Sequence, residues 1–110
     1  MFKHIVMFRF DETATPSQVE EIKRALLDLP KQIKEIRDYE LGTDLELAAG
    51  QTHPLGKNRT LAWSATFDSI ADYQTYDASE AHAEFLGRLK LVVDKTSRAA
   101  IQYKIPEESS

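Results

Sequence analysis

Cysteine is absent from the 110 residues, which excludes disulfides, thiolate nucleophiles and Cys-ligated zinc. Histidine is sparse. His4, His53 and His82 show no His-x-x-x-His or Glu-x-x-His spacing, so no metal site is expected. Only four glycines and four prolines occur, and none builds a Gly-rich phosphate loop or a nucleophile elbow. No cofactor is expected. No apolar run approaches the roughly 20 residues that span a bilayer. Neither sign of charge dominates: 14 Lys and Arg against 18 Asp and Glu leave a net charge of −4. The cations are scattered, which argues against nucleic acid or an anionic membrane as the main partner. The N-terminus leads directly into a strand pattern, without the apolar segment and small-residue cleavage site of a signal peptide. A cytoplasmic location is expected.

What is present is the composition of an ordinary folded protein, 42% hydrophobic and 29% charged, long enough for one domain with a modest core. Phe2 to Phe10 is apolar at strand spacing. His4, Val6, Phe8 and Phe10 share one face, and Lys3, Ile5, Met7 and Arg9 the other. Both faces carry apolar side chains, which predicts a sheet covered on both sides. After a polar loop at Asp11 to Ala14, Thr15-Pro16-Ser17-Gln18 predicts a helix start, with Thr15 as N-cap and Gln18 closing a capping box. Val19, Ile22, Leu26 and Leu29 continue it as an amphipathic stripe, and Pro30 is expected to end it. Ile33 and Ile36 should point inward from a loose turn.

Arg37 to Leu47 reads as a second strand, with Tyr39, Leu41, Thr43 and Leu45 on one side. Gly42 within it suggests a bulge or a close backbone approach. Ala48 to Asn58, with Gly50, Pro54 and Gly56, predicts a surface loop that leaves His53 in solvent. Thr60 to Phe67 is a third strand, with Leu61, Trp63, Ala65 and Phe67 facing one way. Ala99 to Ile105 is a fourth, in which Ile101, Tyr103 and Ile105 alternate. With a helix pair before the last strand, this order is the ferredoxin-like α+β plan: a four-stranded antiparallel sheet with helices on one face. The partly apolar second face implies a face-to-face homodimer, with Ile5 and Met7 in the contact. One domain is expected over residues 1–105, followed by a polar tail at 106–110.

The segment from Phe67 to Phe85 holds the residues best suited to chemistry. Ser69 is expected to cap a short helix ending near Tyr76, and Asp77 to Ser79 to form a turn. Ser79 would then cap a second helix with His82 at its third position. His82, Phe85, Leu86, Leu89 and Val93 make the stripe of that helix. On one continuous helix Tyr76 and His82 would stand about 240° apart; the turn is what can bring them together. A histidine in the first helical turn meets the positive end of the helix dipole, which favours a neutral imidazole able to accept a proton. Such a pair suits acid–base work on a small organic molecule. It equally suits a structural role, as a hydrogen-bonded histidine at the core edge with Tyr76 as its partner.

Lys3-His4-Ile5-Val6-Met7-Phe8-Arg9-Phe10 resembles the opening His-Ile-Val-x-Phe-x-Phe strand of the stress-responsive A/B barrel domain (Dabb) family. Gly42-Thr43-Asp44 resembles its Gly-x-Asp, and Thr60, Phe67, Tyr76, His82 and Phe85 match its central signature in spacing. Tyr103 takes the place of a tyrosine in its closing strand. The resemblance implies a homodimeric α+β barrel in which two four-stranded sheets close on each other. Most members have no assigned reaction. In the plant polyketide cyclase of the family, which makes olivetolic acid, a histidine acts as base and a tyrosine assists in a cleft between sheet and helices. Carried over, this implies His82 and Tyr76 as catalytic residues and His4 as a further cleft histidine. Val6, Phe8, Trp63, Phe85 and Leu89 are expected as core and, where the cleft opens, as its substrate-binding walls.

Two positions depart from the family pattern. Ser79-Glu80 stands where members have His-Pro before Ala-His, and either pair serves a helix start. Leu61 stands where the cyclase has another cleft histidine, which changes the polar lining and argues for a different substrate. Three functions remain open. One is cofactor-free, cyclase-like chemistry on a small apolar, carbonyl-bearing molecule. The second is a stress-related ligand-binding or structural dimer without turnover. The third is a cofactor-independent monooxygenase of the wider α+β barrel group, an analogy of fold only.

Overall fold

The strand of densest apolar alternation, β1 (Phe2–Phe8), lies inside the sheet, where a strand with no wet face belongs. The computed structural model describes residues 1–51 and 58–106. In it β3 (Leu61–Phe67) and β4 (Ala99–Lys104) flank β1, and β2 (Asp38–Thr43) pairs with β3. The order is β2-β3-β1-β4, with every neighbouring pair antiparallel. Three helices complete the ferredoxin-like α+β fold: α1 (Pro16–Gln32), α2 (Ile70–Ala78) and α3 (Glu80–Leu89). Among the described residues no helix is long and apolar enough to cross a membrane.

Register decides which side chains meet the helices. Phe2, His4, Val6 and Phe8 stand opposite Phe67, Ala65, Trp63 and Leu61, and directly opposed residues share a face. Apart from His4, a buried polar residue, these side chains form the core with Ile22, Leu26 and Leu29 of α1, Tyr76 of α2, and Phe85 and Leu89 of α3. The other face carries Lys3, Ile5 and Met7 beside Ile101 and Tyr103 of β4. Met7, Ile101 and Tyr103 are exposed there within the protomer.

Several local expectations need correction. The capping box forms as expected: Thr15 Oγ1 accepts from the Gln18 N–H and Gln18 Oε1 from the Thr15 N–H. Pro30, however, lies inside α1, which runs on to Gln32. Proline forfeits one backbone bond but keeps a helical φ, and the helix closes when the Ile33 N–H reaches the Leu29 carbonyl at 2.9 Å. Strand β2 stops at Thr43, and Leu45 and Leu47 beyond it are exposed. Gly42 sits in unbroken register opposite Ala62, and a Cβ there would meet nothing within 4 Å. It marks neither a bulge nor a close approach. Strand β1 ends at Phe8. Phe10 makes only an isolated bridge to Val93, which lies beyond α3. Arg9 is buried, and its N–H donates to Ser97 Oγ at 2.7 Å. His53, with Pro54 and Gly56, lies outside the described residues.

The break between α2 and α3 is a single residue. Asp77 and Ala78, expected in a turn, remain helical, and Ser79 alone redirects the chain at φ −70°, ψ 151°. Its Oγ donates to the Tyr76 carbonyl at 2.8 Å and accepts from the His82 N–H at 3.1 Å. Ser79→Ala removes both bonds and should cost about 1 kcal/mol, read as a melting temperature lower by roughly 4–8 °C. An unchanged melting temperature would show that the junction is held elsewhere.

Candidate functional site

With the chain bent at Ser79, Tyr76 and His82 come together: their ring centroids are 4.6 Å apart at an interplanar angle of 43°. Both are buried, at 2% and 7% exposure. His82 Nδ1 lies 3.1 Å from the Asp77 carbonyl oxygen. A carbonyl can only accept, so Nδ1 carries the proton, and in the neutral ring Nε2 keeps a lone pair. The Asp77 carboxylate is farther, at 4.0 Å. The last turn of α2 thereby sets the tautomer of the first histidine of α3.

His4 approaches from the sheet, its ring 6.0 Å from Tyr76 and 5.1 Å from Tyr73. Gln102 on β4, directly across from His4 in register, places its amide nitrogen 2.8 Å from His4 Nδ1. With the amide donating, Nδ1 accepts and the ring proton sits on Nε2. The two imidazoles therefore carry opposite tautomers, one presenting a donor and the other an acceptor through Nε2. Burial, and next the proximity of His82, pushes the His4 pKa down from 6.5 to about 4, with Asp77 opposing. Burial also pushes the Tyr76 phenol up to about 12 and raises Tyr73, for which Asp77 is the second cause. Tyr76 thus stays protonated, a donor, throughout the neutral range.

The remaining expected residues divide. Val6, Trp63, Phe85 and Leu89 are buried core. Phe8 stands four residues along β1 from His4, about 13 Å away, and meets Phe10 edge-on at 5.5 Å. It belongs to the other end of the core. Trp63 is covered on its β2 side by Tyr39, ring centroids 5.7 Å apart. Four depressions formed by described residues are lined by residues other than Tyr76 and His82. One of them is a groove of about 500 Å³ lined by Met1, Phe2, Ile70, Tyr73, Gln102 and Tyr103, among others. Tyr73 and Gln102 line that groove and also touch His4, so they form the wall between groove and cluster. Among the described residues no three His, Asp or Glu side chains gather as a metal site.

Sequence reasoning missed Tyr73, Asp77 and Gln102. Tyr73 is one helical turn before Tyr76, a spacing that could have been read. Gln102 becomes visible only when β4 is set in register on β1. Asp77 acts through its backbone carbonyl, for which no residue type is a signal.

The shift at His4 makes stability depend on pH. The unfolded chain binds this proton below about 6.5 and the folded chain only near 4. The stabilisation is complete above pH 6.5 and is lost as the pH falls towards 4. The melting temperature should decline across that window, and His4→Gln should flatten the decline. An equal slope in both proteins would remove His4 as its cause.

The comparisons with known proteins agree with this architecture. The model of the Stress responsive A/B Barrel Domain matches residues 2–105. A stress-response A/B barrel domain-containing protein of Arabidopsis thaliana is 33% identical over 98 residues, covering 86% of this chain and 78% of the relative. A dimeric ferredoxin-like protein of unknown function from Thermobifida fusca is 33% identical, with a TM-score of 0.78 over 94% of this chain and 90% of its own. A hydroxynitrile lyase from Passiflora edulis is 25% identical, with a TM-score of 0.83 over 99% and 96%. With the family model matched over residues 2–105 and a family relative 33% identical, this chain belongs to the stress-responsive A/B barrel domain family.

Proposed function

We propose that this protein binds a small, largely apolar, carbonyl-bearing molecule between its sheet and α2–α3, and that His82 acts on it as an acid–base group assisted by Tyr76. The observation that carries this reading is the His82 imidazole itself. It is packed 4.6 Å from the Tyr76 ring, with Nδ1 committed to the Asp77 carbonyl, so that Nε2 is the nitrogen left to take a proton. Removing a proton next to a carbonyl sends the C–H electron pair to the carbonyl oxygen, and the protonated Tyr76 hydroxyl donates to the charge that forms. The groove beside Tyr73 and Gln102 supplies the approach, its apolar wall suited to the body of such a molecule. Movement of Tyr73 and Gln102 opens the cluster to it.

The closeness of the packing favours a second reading, in which the same site binds without turnover. A site filled by its own aromatic rings is well built to stabilise a ligand once opened, and nothing in a histidine–tyrosine contact requires a reaction. A neighbour that is a hydroxynitrile lyase supports small-molecule chemistry on this fold without specifying which.

The working unit in this reading is a homodimer joined through the sheet face that bears Ile5 and Met7. Support comes from the exposed apolar row on that face and from the dimeric state of the Thermobifida fusca neighbour. Ile5→Glu should then shift the sedimenting species from dimer to monomer. A wild-type monomer at micromolar concentration would end the dimer proposal.

A thermal-shift screen of phenolic and β-keto compounds tests the ligand. With a compound that is turned over, His82→Gln should lower kcat by about 10²–10⁴-fold while the fold, followed by circular dichroism, is kept. Unchanged turnover in that variant would remove His82 from the chemistry. Binding without turnover in the wild type would decide for the second reading.

A further inference from the structure

The groove of about 500 Å³ has a polar inner wall that acid–base chemistry at His82 leaves unused. Met1, Phe2, Ile70 and Tyr103 give it apolar sides, and Tyr73 and Gln102 close it towards His4. The Gln102 amide nitrogen is committed on that inner side. It lies 2.8 Å from His4 Nδ1 and donates to the Tyr73 hydroxyl oxygen at 3.5 Å. The oxygen and nitrogen of a planar carboxamide point apart, so an amide whose nitrogen is turned to the buried His4 turns its oxygen away from it. Gln102 is exposed and lines the groove, so away from His4 is towards the opening. Tyr73 accepts at its oxygen and still has its own proton to donate, the more firmly held because burial, and next Asp77, raises its pKa. Among the described residues no hydrogen bond takes up that proton or Gln102 Oε1. The other polar groups of the lining are engaged or balanced. Ser69 Oγ caps α2 by accepting from the Asp72 N–H at 3.1 Å, Asp68 lies 3.5 Å from Arg37, and Asp68 and Lys104 bring one charge of each sign.

We propose that this groove is a binding site in its own right for an uncharged apolar alcohol, whose hydroxyl accepts from the Tyr73 O–H and donates to Gln102 Oε1. The proposal goes beyond the reading above and does not need it, because neither Tyr76 nor His82 lines the groove. A hydroxyl both donates and accepts through one atom. The two protein groups meet at 3.5 Å, close enough for one such oxygen to reach both. An ether meets Tyr73 and leaves Oε1 unpaired; a hydrocarbon meets neither; a carboxylate sets a negative oxygen against Oε1. The body of the alcohol lies against Phe2 and Ile70, and the Phe2 and Tyr73 rings, edge-on at 5.7 Å, suit an aromatic one. His4 acts here as a positioning residue. By accepting from the amide nitrogen it decides which end of Gln102 the groove presents.

The experiment follows the isotopically labelled full-length protein by NMR during titration with benzyl alcohol, benzyl methyl ether, ethylbenzene and benzoate. Benzyl alcohol should bind and shift the Tyr73 ring and the Gln102 side-chain amide. The ether should bind about tenfold more weakly, and ethylbenzene and benzoate more weakly than the alcohol. Gln102→Met keeps the length of the side chain and removes the amide; it should bring benzyl alcohol down to the affinity of the ether and leave the ether unchanged. If that variant does not fold, judged by circular dichroism, the comparison of ligands on the wild type still decides. Equal affinity for the alcohol and its ether overturns the proposal, as does tighter binding of benzoate or an unchanged alcohol affinity in folded Gln102→Met. Shifts confined to Tyr76 and His82 also overturn it, because the ligand then sits in the cluster and not in the groove. Absence of benzyl alcohol binding overturns it too and leaves the acid–base reading standing.

Discussion

The Ser79 hydroxyl donates a hydrogen bond to the Tyr76 carbonyl at 2.8 Å and accepts one from the His82 N–H at 3.1 Å, and the geometry of the candidate site follows from that pair of bonds. A helix running straight through would leave Tyr76 and His82 on different faces. Ending α2 leaves carbonyls to satisfy, and starting α3 leaves N–H groups to satisfy; one short polar side chain meets a need on each side. Because the break occupies one residue, Asp77 stays in the helix, and its carbonyl is delivered to His82 Nδ1. Backbone economy at one residue becomes the choice of a tautomer at another.

The cluster depends equally on the two imidazoles being held differently. His82 is oriented by a carbonyl, which accepts, and His4 by an amide nitrogen, which donates. A buried imidazole is costly to protonate, and a second histidine nearby adds to that cost at His4. The outcome is a site in which His4 carries no net charge near neutral pH. Tyr76, held protonated by burial, adds another donor. Uncharged groups of complementary polarity suit an uncharged carbonyl compound better than they suit an ion.

The same burial sets the conditions for function. Tyr73, Tyr76, Phe67 and Phe2 interlock with His4 and His82 through stacked, tilted and edge contacts at 4.6–6.1 Å. The groove stops at Tyr73 and Gln102. Ala65, directly across from His4, and Phe67, against Tyr76, make the floor largely apolar. Affinity for a ligand then comes mostly from apolar contact, and its orientation from few polar atoms.

Much of the fold was legible because its signals are local. Alternation in Phe2–Phe8 and Leu61–Phe67, the Thr15–Gln18 capping box and the Ser79 cap involve residues at most a few positions apart. The resemblance of the opening strand and of the Tyr76–His82 spacing pointed to the family. The errors were local signals overruled by surroundings: Pro30 is tolerated because the helix is about to end, and Gly42 is simply a residue of an edge strand. The meeting of Tyr76 with His82 was legible only as a condition on the turn between them. Gln102 is 98 positions from His4, and only the pairing of β4 with β1 brings them within bonding distance. Strands, caps and faces were therefore determined by the sequence alone, through forces acting within a turn or a strand. Which polar atoms found partners was decided by tertiary packing, because hydrogen bonds depend on ångström-scale positions that only the assembled sheet and helices set.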